Sequence, residues 1–350
     1  MKNLGDYTEA AILIEQNKEL IVDNIKLPES LGIGQVFVEL IVSGICGSQI
    51  GEITGAKGAD PYLPHLLGHE GCGIVLDVGP GVKTVSKGEL VVLHWRKGTG
   101  IQSDTPRYLW KEREINAGWV TTFNKHAVIS ENRCTSIPSD TNVELAALFG
   151  CAITTGFGVI ENNAKLLMGE SVVIYGSGGI GLNMIQAASL SSAWPIIAVD
   201  LIDSRLNLAK NFGATHIINA AKLNPKKEII KILKEKKLNV FIDNTGIPEV
   251  IELGYELIES KGRLILVGVP RYDKKIEIKS LPLHFGKKIT GSHGGESNPG
   301  NDIPRYLNLY SNGLFSIEGL ISERYKLCEI NSAINSMTSG KSSGRIILVL

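Results

Sequence analysis

The run Val172-Val173-Ile174-Tyr175-Gly176-Ser177-Gly178-Gly179-Ile180-Gly181 constrains the fold more than any other part of the chain. A short apolar stretch rich in β-branched residues reads as a buried strand, and G-x-G-x-x-G directly behind it reads as a tight turn into a helix. Gly176 permits the turn, Gly178 lets the backbone approach a pyrophosphate, and Gly181 lets the helix lie close to the sheet. Ser177, Gly179 and Ile180 complete a loop whose helix N-terminus offers amide donors to the anion. The same rhythm continues: 171–175 then 179–193, 195–199 then 204–212, 239–243 then 249–260, and 263–267. Strands alternating with helices of this length indicate right-handed crossovers and a parallel sheet buried on both faces, a doubly wound α/β domain.

The second strand ends in Asp200, 19 residues past Gly181. A carboxylate there accepts hydrogen bonds from the adenosine ribose and repels a 2′-phosphate, which favours NAD(H) over NADP. An ordinary turn or helix-capping aspartate has the same position, and Arg205 nearby leaves the choice of dinucleotide open.

Before Gly150 the texture differs. Short β-type runs such as 35–42 and 73–78 alternate with Gly, Pro and Asn turns, which reads as an antiparallel, barrel-like domain. The segment 94–116 is polar, rich in Arg, Lys, Trp and Tyr, and without period, so it is expected to be a long surface loop. Past Gly294 the chain is mixed, with a helix expected over 303–311 and a closing strand over 344–350. At 350 residues two domains are the default.

The 36 basic residues balance the 36 acidic ones, so overall charge favours neither nucleic acid nor an anionic membrane, and a small molecule is the expected partner. No stretch approaches the length of a membrane helix, and residues 1–15 lack the pattern of a secretory signal. Five widely spread cysteines point to reduced thiols and a cytoplasmic location.

Some of those thiols can bind metal. Cys46 follows a strand in Gly44-Ile45-Cys46-Gly47-Ser48, His69 lies in Gly68-His69-Glu70-Gly71, and Cys151 sits at the junction of the two halves. Each alone is as readily a buried hydrophobe or a satisfied polar residue. Together, two thiolates and an imidazole with one open position suit a catalytic rather than a structural zinc.

With the glycine loop, Gly79-Pro80-Gly81-Val82 and the C-terminal Gly344-Arg345, these landmarks occur in an order that resembles the zinc-dependent medium-chain alcohol and polyol dehydrogenases over nearly the whole chain. The resemblance implies a GroES-like β-barrel catalytic domain formed by residues 1–152 and 294–350, with a Rossmann domain, 153–293, inserted into it. The active site would lie in the cleft between them. It implies zinc ligation by Cys46, His69 and Cys151, with Glu70 approaching the metal or taking the fourth position when substrate is absent. Arg345 would contact the cofactor pyrophosphate, Thr155 would border the nicotinamide, and the backbone near Val267 would meet the carboxamide. A dimer or tetramer is expected on the same ground, with sheet extension by 263–267 and 288–292 across a twofold. Zinc acidifies an alcohol, hydride passes to NAD, and Ser48, two residues past a ligand, is the candidate for taking the alcohol proton. A serine bonding only its own turn is the alternative.

Two departures stand out. Where relatives commonly carry Asp and then His after the first ligand, this chain has Gln49-Ile50-Gly51, so the histidine exit for the proton is missing. His94 can substitute, or be a solvated loop residue. The lobe that holds a four-cysteine structural zinc in many relatives has no cysteine here until Cys134, so a single zinc is expected. Arg96, Lys97, Arg107 and Arg113 with Trp95 and Trp119 can instead shape a pocket for a polar or anionic substrate such as a sugar derivative, or merely form a solvated loop. A zinc-free enone or quinone reductase and a non-catalytic relative remain the competing readings.

Overall fold

The computed structural model describes residues 4–340 and 342–350; residues 1–3, part of the N-terminal stretch read above, and residue 341 lie outside them. The chain divides into two compact units. The first comprises Met1–Cys151, Asn298–Asn308 and Ile321–Leu350, the second Ala152–Ser297 and Leu309–Leu320. Among the described residues no single helix is long and apolar enough to cross a membrane.

The second unit is a six-stranded parallel sheet. Its spatial order is His216–Asn219, Ile196–Asp200, Val172–Tyr175, Leu238–Asp243, Ile258–Leu266 and Lys288–Gly291, that is, third, second, first, fourth, fifth and sixth in chain order. The order reverses between the first and fourth strands, the switch point at which doubly wound folds bind dinucleotides. Val173, Ile197, Val199, Phe241 and Leu264 are fully buried and pack with Ile229 and Tyr255 from the covering helices. The strand His216–Asn219 and the helix Pro225–Leu233 did not stand out in the sequence; the strand lies on an edge and buries only its last two residues. Segment 309–320 joins this unit because Phe315 packs on Phe157 and Tyr310, and Ser316 donates its N–H to Gln186.

The first unit holds two mainly antiparallel sheets. One builds on Gln35–Ile45, Glu70–Val78 and Leu90–His94, with Arg345–Val349 paired to the far end of Gln35–Ile45. The other joins Tyr7–Leu13 and Ile21–Lys26 to a hairpin, Tyr108–Trp110 with Arg113–Ile115. That hairpin corrects the expectation of a structureless loop over 94–116. Tyr108 and Ile115 are fully buried, and the Tyr108 hydroxyl accepts the Val128 N–H. Its turn residues, Lys111 and Glu112, both have positive φ (50° and 64°), a conformation usually announced by Asn or Gly.

Candidate metal centre and dinucleotide site

Three separate segments of the first unit deliver one cluster. Cys46 ends the strand Gln35–Ile45 and opens the short helix Gly47–Ile53; His69 lies in the turn before the strand Glu70–Val78; Cys151 follows the fully helical Val143–Phe149. That last helix is started by Asn142, whose side chain accepts the Glu144 and Leu145 amides. The ligand atoms of Cys46, His69 and Cys151 all lie within 4.8 Å of one another, the one such group of three or more among the described residues.

The geometry suits zinc. Two sulfurs bound tetrahedrally at about 2.3 Å from one ion sit about 3.8 Å apart, and Cys46 Sγ lies 3.9 Å from Cys151 Sγ. The His69 Nε2 atom is buried without a hydrogen-bond partner, as an imidazole reserved for a metal would be. The Cys46 thiol is held well below its ordinary value, chiefly by the Cys151 thiol, with His69 and the Arg345 cation adding to the effect and burial opposing it. Thiolate is the form that binds metal. Burial instead pushes Cys72 up to about 12 and raises Cys134, so these two are inert thiols, and Cys328 is exposed.

Glu70 explains why the three segments meet. Its side chain is fully buried and lies against Gly44, where a Cβ would come within 2.5 Å of Oε1. A Cβ on Gly150 would come within 2.7 Å of the Glu70 Cα and 2.2 Å of the Leu93 carbonyl. Glycine therefore stands two residues before one cysteine and immediately before the other because Glu70 occupies the space. Its carboxylate pairs with Arg345, which is 4% exposed, and the strand register Ile45↔Ile346 brings Arg345 alongside Cys46. In this structure Glu70 is thus turned to a guanidinium and stands outside the ligand cluster, and Arg345 is engaged by that carboxylate. A buried arginine needs such a counter-charge.

Ser48 is half-buried one residue into the helix, and among the described residues its hydroxyl makes no hydrogen bond, so it is not tied to its own turn. Gln49, which the sequence reading noted only as a departure, is 1% exposed and accepts the Cys46 N–H at 2.9 Å, bracing that ligand's backbone. His94 is neither a relay nor solvated. It is fully buried between the Arg96 carbonyl (2.8 Å) and the Thr135 hydroxyl (2.9 Å), and burial lowers its pKa to about 4, which keeps it neutral. Trp95 meets the His69 ring edge-on at 6.4 Å, with the Arg96 guanidinium 5.8 Å from the Trp95 ring. Arg107, just before the hairpin, pairs with Glu114 on it, and Arg113 on the hairpin is exposed.

In the second unit, Gly176 has φ +98° and Gly181 would place a Cβ 2.0 Å from the Gly176 carbonyl, so both positions require glycine. A Cβ on Gly178 would meet no protein atom within 4 Å. The missing side chain there keeps clear a space that protein does not fill, as a pyrophosphate cradle requires. Gly178 caps the helix Gly179–Leu190 without a side-chain bond, and no acid stands in its first turn, which leaves the amides of Gly179, Ile180 and Gly181 for an anion.

The Ser177 N–H donates to Asp200 at 2.7 Å, and the Leu201 and Ile202 amides donate to the other oxygen. Three donors do not exhaust a carboxylate, so capacity for a ribose hydroxyl remains. Arg205 is half-buried in the following helix. Thr155 is 4% exposed and its Oγ1 has no partner, while the Val267 N–H is spent on the Asp243 carbonyl. Two residues the sequence reading missed complete the loop's support. Asn244 donates to the Gly176 carbonyl at 3.1 Å, and buried Asp243 accepts from Thr245 and Gly246. Asp-Asn-Thr-Gly after an apolar strand was the available signal.

Comparison with known proteins agrees with both halves. A model described as Alcohol dehydrogenase GroES-like domain matches residues 32–139, and one described as Zinc-binding dehydrogenase matches residues 179–312. The chain is 30% identical to S-(hydroxymethyl)glutathione dehydrogenase of Paracoccus denitrificans over 97% of its length and 99% of that protein. Among solved structures, benzyl alcohol dehydrogenase of Acinetobacter calcoaceticus matches with a TM-score of 0.88 at 27% identity, covering 99% of this chain and 100% of that one. An alcohol dehydrogenase zinc-binding domain protein of Burkholderia ambifaria matches with a TM-score of 0.88 at 27% identity, over 98% and 99%. A clustered Cys46, His69 and Cys151, a GroES-like domain and a doubly wound nucleotide-binding domain describe a zinc-dependent alcohol oxidoreductase, and the chain belongs to the zinc-dependent medium-chain alcohol dehydrogenase family.

Proposed function

We propose that the protein transfers a hydride between NAD(H) and a small-molecule alcohol or its carbonyl, using one zinc per chain held by Cys46, His69 and Cys151. The observation that carries this reading is the convergence of those three ligand atoms within 4.8 Å, with His69 Nε2 otherwise unpartnered. A bound zinc supplies Lewis acidity and a bound nicotinamide accepts hydride. The chain's own residues supply position and the path of the proton. Three ligands leave one coordination position for substrate. The unengaged Ser48 hydroxyl, two residues past Cys46, takes the proton from a substrate hydroxyl. Gln49 is locked on the Cys46 N–H and Gly51 has no side chain, so the proton passes on to water or to a cofactor hydroxyl rather than to an imidazole.

Asp200 supports NAD over NADP, because its buried carboxylate faces the loop amides and would repel a 2′-phosphate. The intact ligand cluster gives the zinc-free reductase reading no support. A homodimer is proposed through the strand Lys288–Gly291, which ends its sheet and is flanked by exposed Leu281 and Phe285. Five cysteines, an odd number spread widely along the chain, support a reducing, cytoplasmic setting. Steady-state oxidation of benzyl alcohol with each dinucleotide tests the reading. NAD⁺ should exceed NADP⁺ in kcat/KM by at least about tenfold, and Asp200→Ala should narrow that gap. Preference for NADP⁺, or failure of both dinucleotides to bind, overturns it.

A further inference from the structure

The first unit contains a cavity of about 710 Å³ that the zinc and NAD reading does not by itself explain. It is bordered by Gly51 and Glu52, on the helix that Cys46 opens, by Gly68, immediately before His69, and by Trp119. Gly51 lies one turn beyond Ser48 on the same helix face. The space is of the size that buries a drug-sized molecule and is far larger than a two-carbon alcohol needs.

The charged groups around it are committed to one another. His65 bonds Asp60 at 2.7 Å through one ring nitrogen and the Leu66 carbonyl at 2.9 Å through the other. The second Asp60 oxygen accepts the Tyr62 N–H. The Gln16 amide donates to the Glu52 and Gly58 carbonyls and accepts from the Asp60 N–H, while Lys57 pairs with Glu52 at 3.1 Å. The charges are thus paired, and no surplus cation lines the wall to hold an anionic substrate. Trp119 is 41% exposed, its Nε1 is spent on the Ser103 carbonyl, and the Arg133 guanidinium lies 5.4 Å from its ring. The wall otherwise offers a ligand mainly aromatic and apolar surface, the Trp119 indole and the Tyr62 ring beside Leu66, Leu67 and Val120, with the Thr105 hydroxyl as a neutral polar group.

We infer that this cavity holds the body of a neutral, ring-bearing alcohol, with Trp119 as the stacking platform that sets specificity, rather than an anionic or polyhydroxylated sugar derivative. The inference rests on the alcohol dehydrogenase reading and names its substrate class. A platform that contributes an aromatic contact is worth about tenfold in affinity.

The test compares kcat/KM of the zinc-loaded enzyme for 2-naphthylmethanol, its carboxylated analogue, sorbitol and ethanol, together with quenching of tryptophan fluorescence by 2-naphthylmethanol. 2-Naphthylmethanol is expected to be the best substrate. Trp119→Ala should lower its preference over ethanol about tenfold through KM, while Trp119→Phe retains most of that preference although both variants lose the Trp119 share of the quenching. Preference for the carboxylate or for sorbitol, or quenching and preference that survive Trp119→Ala, overturns the inference. If Trp119→Ala does not fold, Trp119→Leu takes its place, with the same loss of preference expected and an undiminished preference overturning the inference. If no alcohol is oxidised the dehydrogenase reading fails, whereas absent quenching with intact oxidation sinks only the platform.

Discussion

The metal centre and the glycine loop are built by opposite means. The centre gathers residues from three distant segments around Glu70, a fully buried carboxylate whose counter-charge, Arg345, comes from the last strand of the chain. The loop is one contiguous run, shaped by glycines whose missing side chains clear its own backbone and secured by neutral or locally satisfied bonds from Asn244 and Asp200. A site assembled from afar depends on a buried ion pair that is costly to break from one side. A site encoded locally spreads its support over several modest bonds.

The contrast can be broken by experiment. Arg345→Met removes the guanidinium that pairs with the buried Glu70 carboxylate and should cost about 3–5 kcal/mol in urea unfolding of the zinc-loaded protein. The double variant Glu70→Gln/Arg345→Met should recover part of that loss, because neither charge is then stranded. At the loop, Asn244→Ala removes the bond to the Gly176 carbonyl and should cost about 1 kcal/mol, seen as a several-fold weaker affinity for NADH in a fluorescence titration. Equal losses at the two sites would show that the centre does not hang on its ion pair.

The same difference governs what could be read from the residues. The glycine loop, its strand and Asp200 were legible because turn, phosphate approach and helix packing are demands on neighbouring residues. The ligands were legible as residue types but not as a cluster; their meeting depends on Gly44 and Gly150 yielding space to Glu70, a tertiary fact. The Glu70 pairing with Arg345 joins residues far apart in the chain and leaves no local trace. His94 looked like a loop residue because its partners, the Arg96 carbonyl and Thr135, appear only once the strands pair. The hairpin over 108–115 escaped notice because Lys111 and Glu112 carry its positive-φ turn without Gly or Asn. The edge strand His216–Asn219 escaped because an edge needs little apolar surface.

Cys46, His69 and Cys151 are proposed to hold one zinc per chain. Metal analysis with X-ray absorption on the purified protein tests it most directly. The account predicts one zinc per chain with two sulfur ligands at about 2.3 Å and lighter atoms completing the shell, and loss of both metal and activity in Cys151→Ser. A four-sulfur shell, or full activity in metal-free protein, would contradict it.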